Sequence, residues 1–426
     1  MLSSARAGCR RAILAMAVAS FHATVNAAPT PPDTIVVVTG PLTLQRVLAL
    51  AREYEPRLRP AGLRAEAARA RIGDAGRRPN PTLTATEENF GGQLGGSHRE
   101  ATAAIGQTFE LGGDRRARTA TADAEYRLAA AETDLLGIEV LAAAADRFIA
   151  AWALQTRLRQ LREGEHLTQQ AIHAATERFH AGASPRLEIL RAQNQASAQA
   201  VERQQVSSEL AIARQALALS WGASRAEFDS LVVPEPSDTA SWGLQSQPHP
   251  ELTRASANEA LALARVRSAT AARTPDLTIS AGARRLEEIP GTGFVAGVEL
   301  PIPLWNRGAG GVAAARREFE ASALERQATE HRLRIARLAA TERLQAAAAV
   351  YDTLRLRVRP AREQVVDELL RGYRAGRSSY LDLVAEQNNL LQTELALIDA
   401  QADLLRARLR LTLLAGTGLP APQEER

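Results

Sequence analysis

The chain has 426 residues, with 52 basic and 48 acidic side chains and a net charge of +4. So small a basic excess argues against a nucleic-acid-binding protein, which needs a strongly basic surface. Aromatic residues account for only 4% of the chain, while alanine, leucine, glutamate and arginine dominate, a composition typical of long helices.

Residues 1–28 have the features of a secretory signal peptide. Three arginines precede an apolar run, Ala12–Phe21, and small residues then indicate cleavage after Ala27 or Ala28. The run is too short to cross a bilayer as a helix. Cys9 and both methionines lie within this segment, so the chain that follows has no cysteine for a disulfide or a thiolate metal site.

The rest of the chain is an internal duplication with an offset of 194 residues. At this offset Ala181–Glu188 aligns with Ala375–Asp382, and Pro81 aligns with Pro275. A single offset that serves such distant segments indicates two tandem repeats. The predicted parts after the signal peptide are a first repeat (29–222), a linker (223–247), a second repeat (248–416) and a C-terminal tail (417–426).

The first repeat is predicted to contain a helix, a β-hairpin and two long helices. The first helix spans Leu44 to about Arg77 and is interrupted near Pro56 and Pro60. Alternating apolar residues predict the hairpin over about 82–111. The next helix, from about Asp114 to His180, covers about 67 residues and extends for about 100 Å.

The second repeat follows the same plan. Its hairpin is predicted over about 276–304, and apolar alternation in its second strand continues from Phe294 to Leu304. Its long helix runs from about Gly311 to Arg374, and Pro360 should kink it. Apolar residues of the last helix recur at heptad spacing, which favours supercoiling. Helices of this length do not fit a compact globule and indicate a rod, a stalk or a tube.

The four predicted strands carry apolar side chains on alternate residues, at lengths that suit strands crossing a membrane. Four strands are too few to close a barrel, which needs about eight, and open sheet edges are not viable in lipid. The chain would therefore share a barrel with further copies, two or three copies giving eight or twelve strands. The alternative is a pair of soluble hairpins at the end of a coiled coil.

Two motifs follow the second and fourth strands, Phe109–Arg116 (FELGGDRR) and Leu300–Gly308 (LPIPLWNRG). Carried on a duplicated helix–hairpin–helix frame, they resemble the TolC superfamily of outer membrane factors and, within it, the CzcC-like heavy-metal efflux branch. The resemblance covers nearly the whole chain after the signal peptide. It implies a mainly α fold with a membrane β-barrel, in which a homotrimer builds a twelve-stranded barrel on a long α-helical tunnel.

The same resemblance implies a function and partners. It describes an outer membrane channel with a long periplasmic portion, which passively exports heavy-metal cations received from a periplasmic adaptor protein and an inner-membrane RND pump. No cofactor or catalysis is expected, and the common phosphate-loop, zinc-hydrolase and nucleophile-elbow motifs are absent from the sequence. The alternatives are a duct for small organic toxicants or polypeptides, and a soluble periplasmic coiled-coil adaptor.

Each hairpin must turn into a helix within a few residues at the end of the barrel. Gly112, Gly113 and Gly308 give the backbone the freedom for these turns. Pro301 and Pro303 restrict the backbone and are expected to end strand pairing.

The two helix–turn–helix tips, about 179–187 and about 373–382, are the predicted site of function. Glycine permits the tight turns, and Ser184 and Ser378 are expected to cap the helices that follow. The resemblance implies that the tips meet the adaptor, and the residues assigned to this contact are Gly182, Ser184, Leu187, Gly376, Ser378 and Leu381. It also assigns Asp382 and Glu188 to a periplasmic gate. The alternative is that both acids only stabilise a helix N-terminus.

His166, His173 and His180 recur every seven residues and so share one face of a helix. Stacked histidine rings in a trimer would suit metal ions. Neighbours seven residues apart lie about 10 Å from each other along the axis, too far to share an ion within one chain. A chance spacing on a solvated face is therefore the favoured interpretation.

Overall fold

The computed structural model describes residues 38–88, 100–233, 248–286 and 291–415. The predicted signal peptide, the loop of the first hairpin at 91–98, most of the linker and the tail lie outside the described residues. The helices are α1 (Leu44–Tyr54), α2 (Leu58–Ala75), α3 (Asp114–His180), α4 (Arg186–Ala218), α5 (Pro250–Ala271), α6 (Ala309–Thr353), α7 (Arg359–Arg374) and α8 (Tyr380–Leu414). The strands are β1 (Pro41–Thr43), β2 (Thr82–Glu88), β3 (Glu100–Phe109), β4 (Ser230–Val232), β5 (Leu277–Leu286) and β6 (Thr292–Glu299).

The helices of the first repeat follow the sequence prediction closely. The first one divides into α1 and α2 beside Pro56. Pro60 does not interrupt α2, contrary to the prediction, because it lies in the first turn, where a missing N–H leaves no helical bond unmade. Helix α3 then runs for 67 residues without interruption, between the predicted bounds.

The long helix of the second repeat is divided at Pro360. Helix α6 ends at Thr353, a π-helical turn spans Leu354–Val358, and α7 begins at Arg359. Proline lacks an N–H and its ring crowds the carbonyl four residues earlier, so a wider turn accommodates it. The interruption therefore lies where Pro360 is expected to kink the helix. The start of α6, at Ala309, lies two residues before the predicted Gly311.

The two hairpins form one antiparallel sheet with the strand order β2-β3-β5-β6. Residues opposite each other in this register share a face, so the sheet separates two kinds of side chain. Small and polar residues dominate one face, including Thr82, Thr84, Thr86, Glu88, Glu100, Thr102, Gly106, Thr108, Thr278, Ser280, Gly282, Arg284, Gly297 and Glu299. Apolar residues dominate the other, including Leu83, Ala103, Ile105, Phe109, Leu277, Ile279, Ala281, Phe294, Ala296 and Val298.

Strand β6 is shorter than the sequence alternation predicted. It ends at Glu299, whereas the alternating segment continues to Leu304. Pro301 and Pro303 explain the difference, because proline has no N–H to donate to a neighbouring strand. The chain leaves the sheet here with its side chains exposed, and Trp305 is 93% exposed.

The largest hydrophobic core lies beside the middle of α3, where β1 and β4 form a small parallel sheet. Phe148 of α3 and Phe228 are buried in this core. The side chain of Gln155 clamps β4, donating to the Leu231 carbonyl at 2.9 Å and accepting the Leu231 N–H at 3.0 Å. The described start of the predicted linker is therefore an ordered element packed on the long helices.

Helix α5 begins with an imidazole cap. The Nδ1 atom of His249, a residue only 8% exposed, accepts the N–H of Glu251 at 3.2 Å. Burial lowers the pKa of His249; Glu251 opposes this, while Arg337 and Arg332 of α6 add to it. The cap requires a neutral imidazole, because a protonated Nδ1 cannot accept a hydrogen bond.

The long helices pack through apolar seams. Leu158 and Leu161 of α3 meet Val206 and Leu210 of α4, and their spacing of three and four residues is the one expected for supercoiled helices. Within the described ranges, no helix is long and apolar enough to cross a membrane.

Candidate functional site

The two tips fold into the same turn. Gly182 and Gly376 have left-handed backbones, with φ of 70° and 74°. Equivalent backbone bonds of 2.8 Å span the two turns: the Ala183 N–H donates to the Arg178 carbonyl, and the Arg377 N–H donates to the Gly372 carbonyl. Because glycine adopts this conformation more readily than other residues, both glycines serve the turn as predicted.

The helices after the turns are capped one residue later than predicted. Ser379, not Ser378, is the N-cap of α8, and its hydroxyl accepts the N–H of Asp382 at 3.1 Å. At the first tip the N-cap is Pro185, while the Ser184 hydroxyl donates to a carbonyl of α3 at 3.5 Å. Capping by Ser184 and Ser378 was therefore wrong, because the extended residue that opens each helix lies one position further along.

Asp382 takes part in a local cap. The hydroxyl of Ser379 donates to Asp382 Oδ2 at 2.9 Å while it accepts the Asp382 N–H. The side chain is exposed in the first turn of α8, where the helix dipole favours a negative charge. These contacts explain an acid at this position without requiring a gate.

Glu188 has the equivalent place in the first turn of α4 but faces the other helical hairpin. The hydroxyl of Tyr373, at the end of α7, donates to Glu188 Oε2 at 3.4 Å. Of the two acids assigned to a gate, Glu188 therefore makes a contact between the α3–α4 hairpin and the α7–α8 hairpin.

Arg178, near the end of α3, adds to this contact. Its Nη1 donates to the Tyr373 carbonyl at 2.7 Å, and its Nη2 to the Ala183 carbonyl at 3.4 Å. The guanidinium carbon lies 4.5 Å from the centre of the Tyr373 ring, in a cation–π arrangement. Arg178, Glu188 and Tyr373 are called the tip link below.

Two tyrosines form a buried cluster at the tip link. Tyr373 and Tyr380 are 3% and 4% exposed, and their ring centres lie 5.9 Å apart. Burial is the main reason that the pKa of Tyr373 is raised and that the pKa of Tyr380 reaches about 12, and the charge of Glu188 contributes to both. The Tyr373 hydroxyl therefore stays protonated and keeps its hydrogen bond to Glu188.

Each tip also exposes a leucine. Leu187 is 50% exposed and Leu381 is 53% exposed, at equivalent positions in the first turns of α4 and α8. An apolar side chain exposed at the same place on both tips provides surface that a partner can cover.

The turns between sheet and helix depend on glycine, as predicted. Gly113 and Gly308, with φ of 81° and 69°, are the N-caps of α3 and α6. Glycine is required at position 112 for a different reason, because a Cβ added to Gly112 would lie 2.4 Å from the carbonyl oxygen of Ala271. The two repeats are therefore in close contact at this turn.

Carboxylates crowd the same turn. Asp276 lies just before β5, and Arg118 pairs with Glu110. Burial raises the pKa of Asp276, and the charges of Asp114 and Glu110 raise it further. One oxygen of Asp114 and one of Asp276 are buried without a hydrogen-bond partner among the described residues.

The sequence model of the outer membrane efflux protein family matches residues 47–223 and again residues 245–417. The chain belongs to this family. Both repeats are covered by the match, which agrees with the internal duplication. The alternative of a soluble coiled-coil adaptor is thereby overturned.

Two relatives are heavy-metal resistance proteins. This efflux protein is 28% identical over 363 residues to the cobalt-zinc-cadmium resistance protein CzcC of Cupriavidus metallidurans, covering 84% of this chain and 85% of CzcC. It is 29% identical over 366 residues to the nickel-cobalt-cadmium resistance protein NccC of Alcaligenes xylosoxydans xylosoxydans, covering 84% of this chain and 74% of NccC. The predicted CzcC-like branch is confirmed.

Solved structures confirm the fold class. The outer membrane protein VceC of Vibrio cholerae matches with a TM-score of 0.74 at 18% identity, over 88% of this chain and 96% of VceC. The channel CusC matches with a TM-score of 0.75 at 17% identity, over 88% of this chain and 92% of CusC. The efflux protein thus has the mainly α fold of these proteins, with long helices and a four-stranded antiparallel sheet.

The three histidines do not gather into a site. His173 Nε2 contacts Glu177 Oε1 at 3.2 Å, with both side chains exposed, and the ring of His180 lies against Phe179. His166 is exposed on the same helix. In the parts of the chain that the structure describes, no group of three His, Cys, Asp or Glu side chains is placed to hold a metal ion.

Sequence reasoning missed the tip link. It selected Glu188 but not Arg178 or the hydroxyl of Tyr373, because their partners lie on the other hairpin, far along the chain. The sequence feature that could have indicated this contact is the pair of large side chains just before each turn, Arg178-Phe179 and Tyr373-Arg374.

Proposed function

We propose that three copies of this chain form the outer membrane duct of an RND-type tripartite efflux system. The observation that carries the proposal is the sheet, whose outer strands β2 and β6 each pair on one side only within the described chain. Strand edges in lipid must be closed, and three such sheets joined edge to edge supply twelve strands. The apolar face then meets lipid, the polar face lines the pore, and the long helices form the periplasmic tunnel.

The substrate class is heavy-metal cations, which pass through by diffusion without a cofactor or catalysis. Glu88, Glu100 and Glu299 lie on the polar face with a single arginine, Arg284, so the described part of that face has an acidic surplus. Arg284 is paired with Glu100 at 3.1 Å. A pore wall of this charge attracts cations. The names of CzcC and NccC, which specify resistance to such metals, support the same class.

The tip link is the proposed periplasmic gate. It joins the α3–α4 hairpin to the α7–α8 hairpin, so the hairpins cannot separate until the contacts of Arg178 and Glu188 with Tyr373 break. Asp382 adds a negative charge at the same end of the tunnel. The entrance would open when the two hairpins of each chain move apart.

The tips are also the proposed docking surface for the periplasmic adaptor, which connects the duct to the inner-membrane RND pump. The exposed leucines Leu187 and Leu381 supply the apolar contact. Gly182, Gly376, Ser184 and Ser378 shape the turns that present them.

The substrate is tested in a strain from which the gene has been deleted. Growth is compared on zinc, cobalt, cadmium, nickel and a panel of organic toxicants, with and without the restored gene. We expect sensitivity to metal ions that the gene reverses. Sensitivity to organic compounds alone, or a defect in polypeptide secretion alone, would assign the duct to those substrates instead.

Cation preference is tested with the purified protein in planar bilayers under a salt gradient. Replacing Glu88 and Glu299 by glutamine should shift the reversal potential towards lower cation selectivity. Glu87→Gln is the matched control, because Glu87 lies on the opposite face of the same strand. If Glu87→Gln shifts the reversal potential by the same amount, the charge of the polar face would no longer support a preference for cations.

The gate is tested with Tyr373→Phe, which removes the hydroxyl that reaches Glu188 and keeps the ring. A hydrogen bond contributes about 1 kcal/mol, so the open fraction of single channels should rise about fivefold. Tyr351→Phe, at a buried position of α6 outside the tip, is the control. A variant whose openings match the wild type would show that Glu188 and Tyr373 do not hold the tip closed.

A further inference from the structure

A cavity of about 190 Å³, called the wall cavity below, lies between the two helical hairpins. Side chains of α3, α4, α7 and α8 line it, so both hairpins contribute to its wall. Its volume is well above that needed for a single water molecule and admits a compact organic molecule. None of the three tip-link residues lines the wall cavity.

A missing side chain and a pair of amides create the wall cavity. Gly164 of α3 faces Leu391 of α8, and even an added Cβ would remain 3.6 Å from that leucine. The amide of Gln195 on α4 donates to Asn388 Oδ1 on α8 at 2.9 Å. The α3–α4 seam that includes Leu158 and Leu210 is packed and apolar, whereas here hydrogen-bonded amides lie beside a gap.

The polar part of the lining has an acidic surplus. Glu163 and Glu394 line the wall cavity, and none of the described residues that line it is basic. Arg359 Nε lies 2.8 Å from Glu394 but also 2.9 Å from Glu363, so one guanidinium serves two carboxylates. Burial raises the pKa of Glu394; Arg359 opposes this, while Glu363 and Glu163 raise it further. A positively charged guest would relieve this repulsion.

Of the other fourteen lining residues, seven are aliphatic or aromatic, including Leu167, Val384, Leu391 and the ring of Tyr380, and five are glutamine or asparagine. An apolar surface beside amide and carboxylate groups suits a small organic molecule that has both an apolar body and a polar group. A bare metal ion fits less well, since the described chain has no cluster of three acidic, histidine or cysteine ligands.

We propose that the wall cavity binds a small organic cation with a compact apolar body. The cationic group lies towards Glu163 and Glu394, and the body lies against Leu167, Val384 and Leu391. Because both hairpins contact the guest, its binding favours the arrangement in which the tip is closed. This effect on the tip rests on the proposed function, whereas the binding itself does not.

Binding is tested on the purified full-length protein in detergent by isothermal titration calorimetry. The probe is 2-phenylethylammonium, and 2-phenylethanol is its neutral counterpart. We expect saturable binding of the probe with a Kd of about 1 mM or tighter, and binding of the alcohol at least about tenfold weaker because it carries no charge. Equal binding of the two compounds, or no saturable binding of the probe, would overturn the proposal.

Variants locate the bound probe. Gly164→Leu places a side chain in the wall cavity and should weaken binding at least about tenfold. Gly137→Leu, in the same helix at a position where an added Cβ meets nothing within 4 Å, is the matched control and should bind as the wild type does. Glu163→Gln removes an exposed charge with little effect on folding and should weaken binding about threefold to tenfold. Unchanged binding in both Gly164→Leu and Glu163→Gln would place the probe elsewhere and refute the proposal.

Two further measurements distinguish an organic-cation site from a metal site and test its effect on the tip. Zinc ions should not displace the probe, and displacement that Glu163→Gln abolishes would assign the cavity to a metal ion. The probe should lower the open fraction of wild-type channels but not of Gly164→Leu channels. If the wild-type protein exports metal ions but does not bind the probe, this inference alone is refuted. If it binds the probe but does not export metal ions, the proposed function alone is refuted.

Discussion

Replacing Gly182 or Gly376 by alanine tests whether backbone conformation limits the stability of the tips. Both residues are in the left-handed region, with φ of 70° and 74°, and each closes a turn between two long helices. Because the two turns share one geometry, the two substitutions are independent trials of the same prediction.

The expected cost follows from the backbone alone. An L-residue in the left-handed region costs about 1–2 kcal/mol relative to glycine. A Cβ added at either position would meet nothing within 4 Å, so no steric clash adds to this cost. Gly137, inside α3, also has open space around an added Cβ but no left-handed backbone. Alanine there should stabilise the helix by about 0.5–1 kcal/mol, which makes Gly137→Ala a control of opposite sign.

Hydrogen exchange measured by mass spectrometry resolves the effect at each tip. The informative amides are those of Ala183 and Arg377, which close the two turns. A loss of about 1–2 kcal/mol corresponds to exchange about five to thirty times faster, confined to the tip that carries the substitution. Unchanged exchange in both glycine variants, or equal acceleration in Gly137→Ala, would refute the reasoning.

Three further predictions concern stability. Burial lowers the pKa of His249 below 6.5, so wild-type stability should be full above pH 6.5 and fall as the pH drops through the lowered pKa. His249→Asn, with a cap that does not titrate, should lose this dependence in thermal unfolding at pH 5 to 8. Burial raises the pKa of Asp276 above 3.8, so its ionisation costs stability as the pH rises. Asp276→Asn should therefore raise the unfolding temperature at pH 7 but not at about pH 3. Phe148→Ala, at a position with 0% exposure, should cost about 3–5 kcal/mol in chemical denaturation, and Phe179→Ala, at 38% exposure, much less.

Local signals predicted most of the architecture. The bounds of α3 follow from heptad spacing between two glycine-containing turns, and the alternation of β3 and β5 follows from one apolar face. The errors arose where a neighbouring residue offered the same chemistry. Ser378 and Ser379 are both able to cap a helix, and only the backbone conformation selects Ser379. Apolar alternation alone placed the end of the second hairpin too late, at Leu304. The prediction that Pro301 and Pro303 end strand pairing was correct, because β6 ends at Glu299.

The tip link was beyond the reach of sequence patterns for a different reason. Arg178 and Tyr373 lie on different hairpins, so their contact depends on how α3 packs against α7 and α8. No periodicity within one helix reports which side chain of a second helix lies opposite. The same limit applies to the wall cavity, since Gly164 gives no signal until Leu391 is placed across from it.

Duplication explains why the two tips share a turn but not a contact. The turn glycines are equivalent at the offset of 194 residues, whereas Arg178 is equivalent to Gly372 and Tyr373 to Phe179. Phe179 has no hydroxyl and Gly372 has no side chain, so the reverse pairing cannot reproduce the tip link. In a trimer the contact inside each chain would therefore differ from the contact between chains. If the tip link is the gate proposed above, opening would require this one contact to break in each of the three chains.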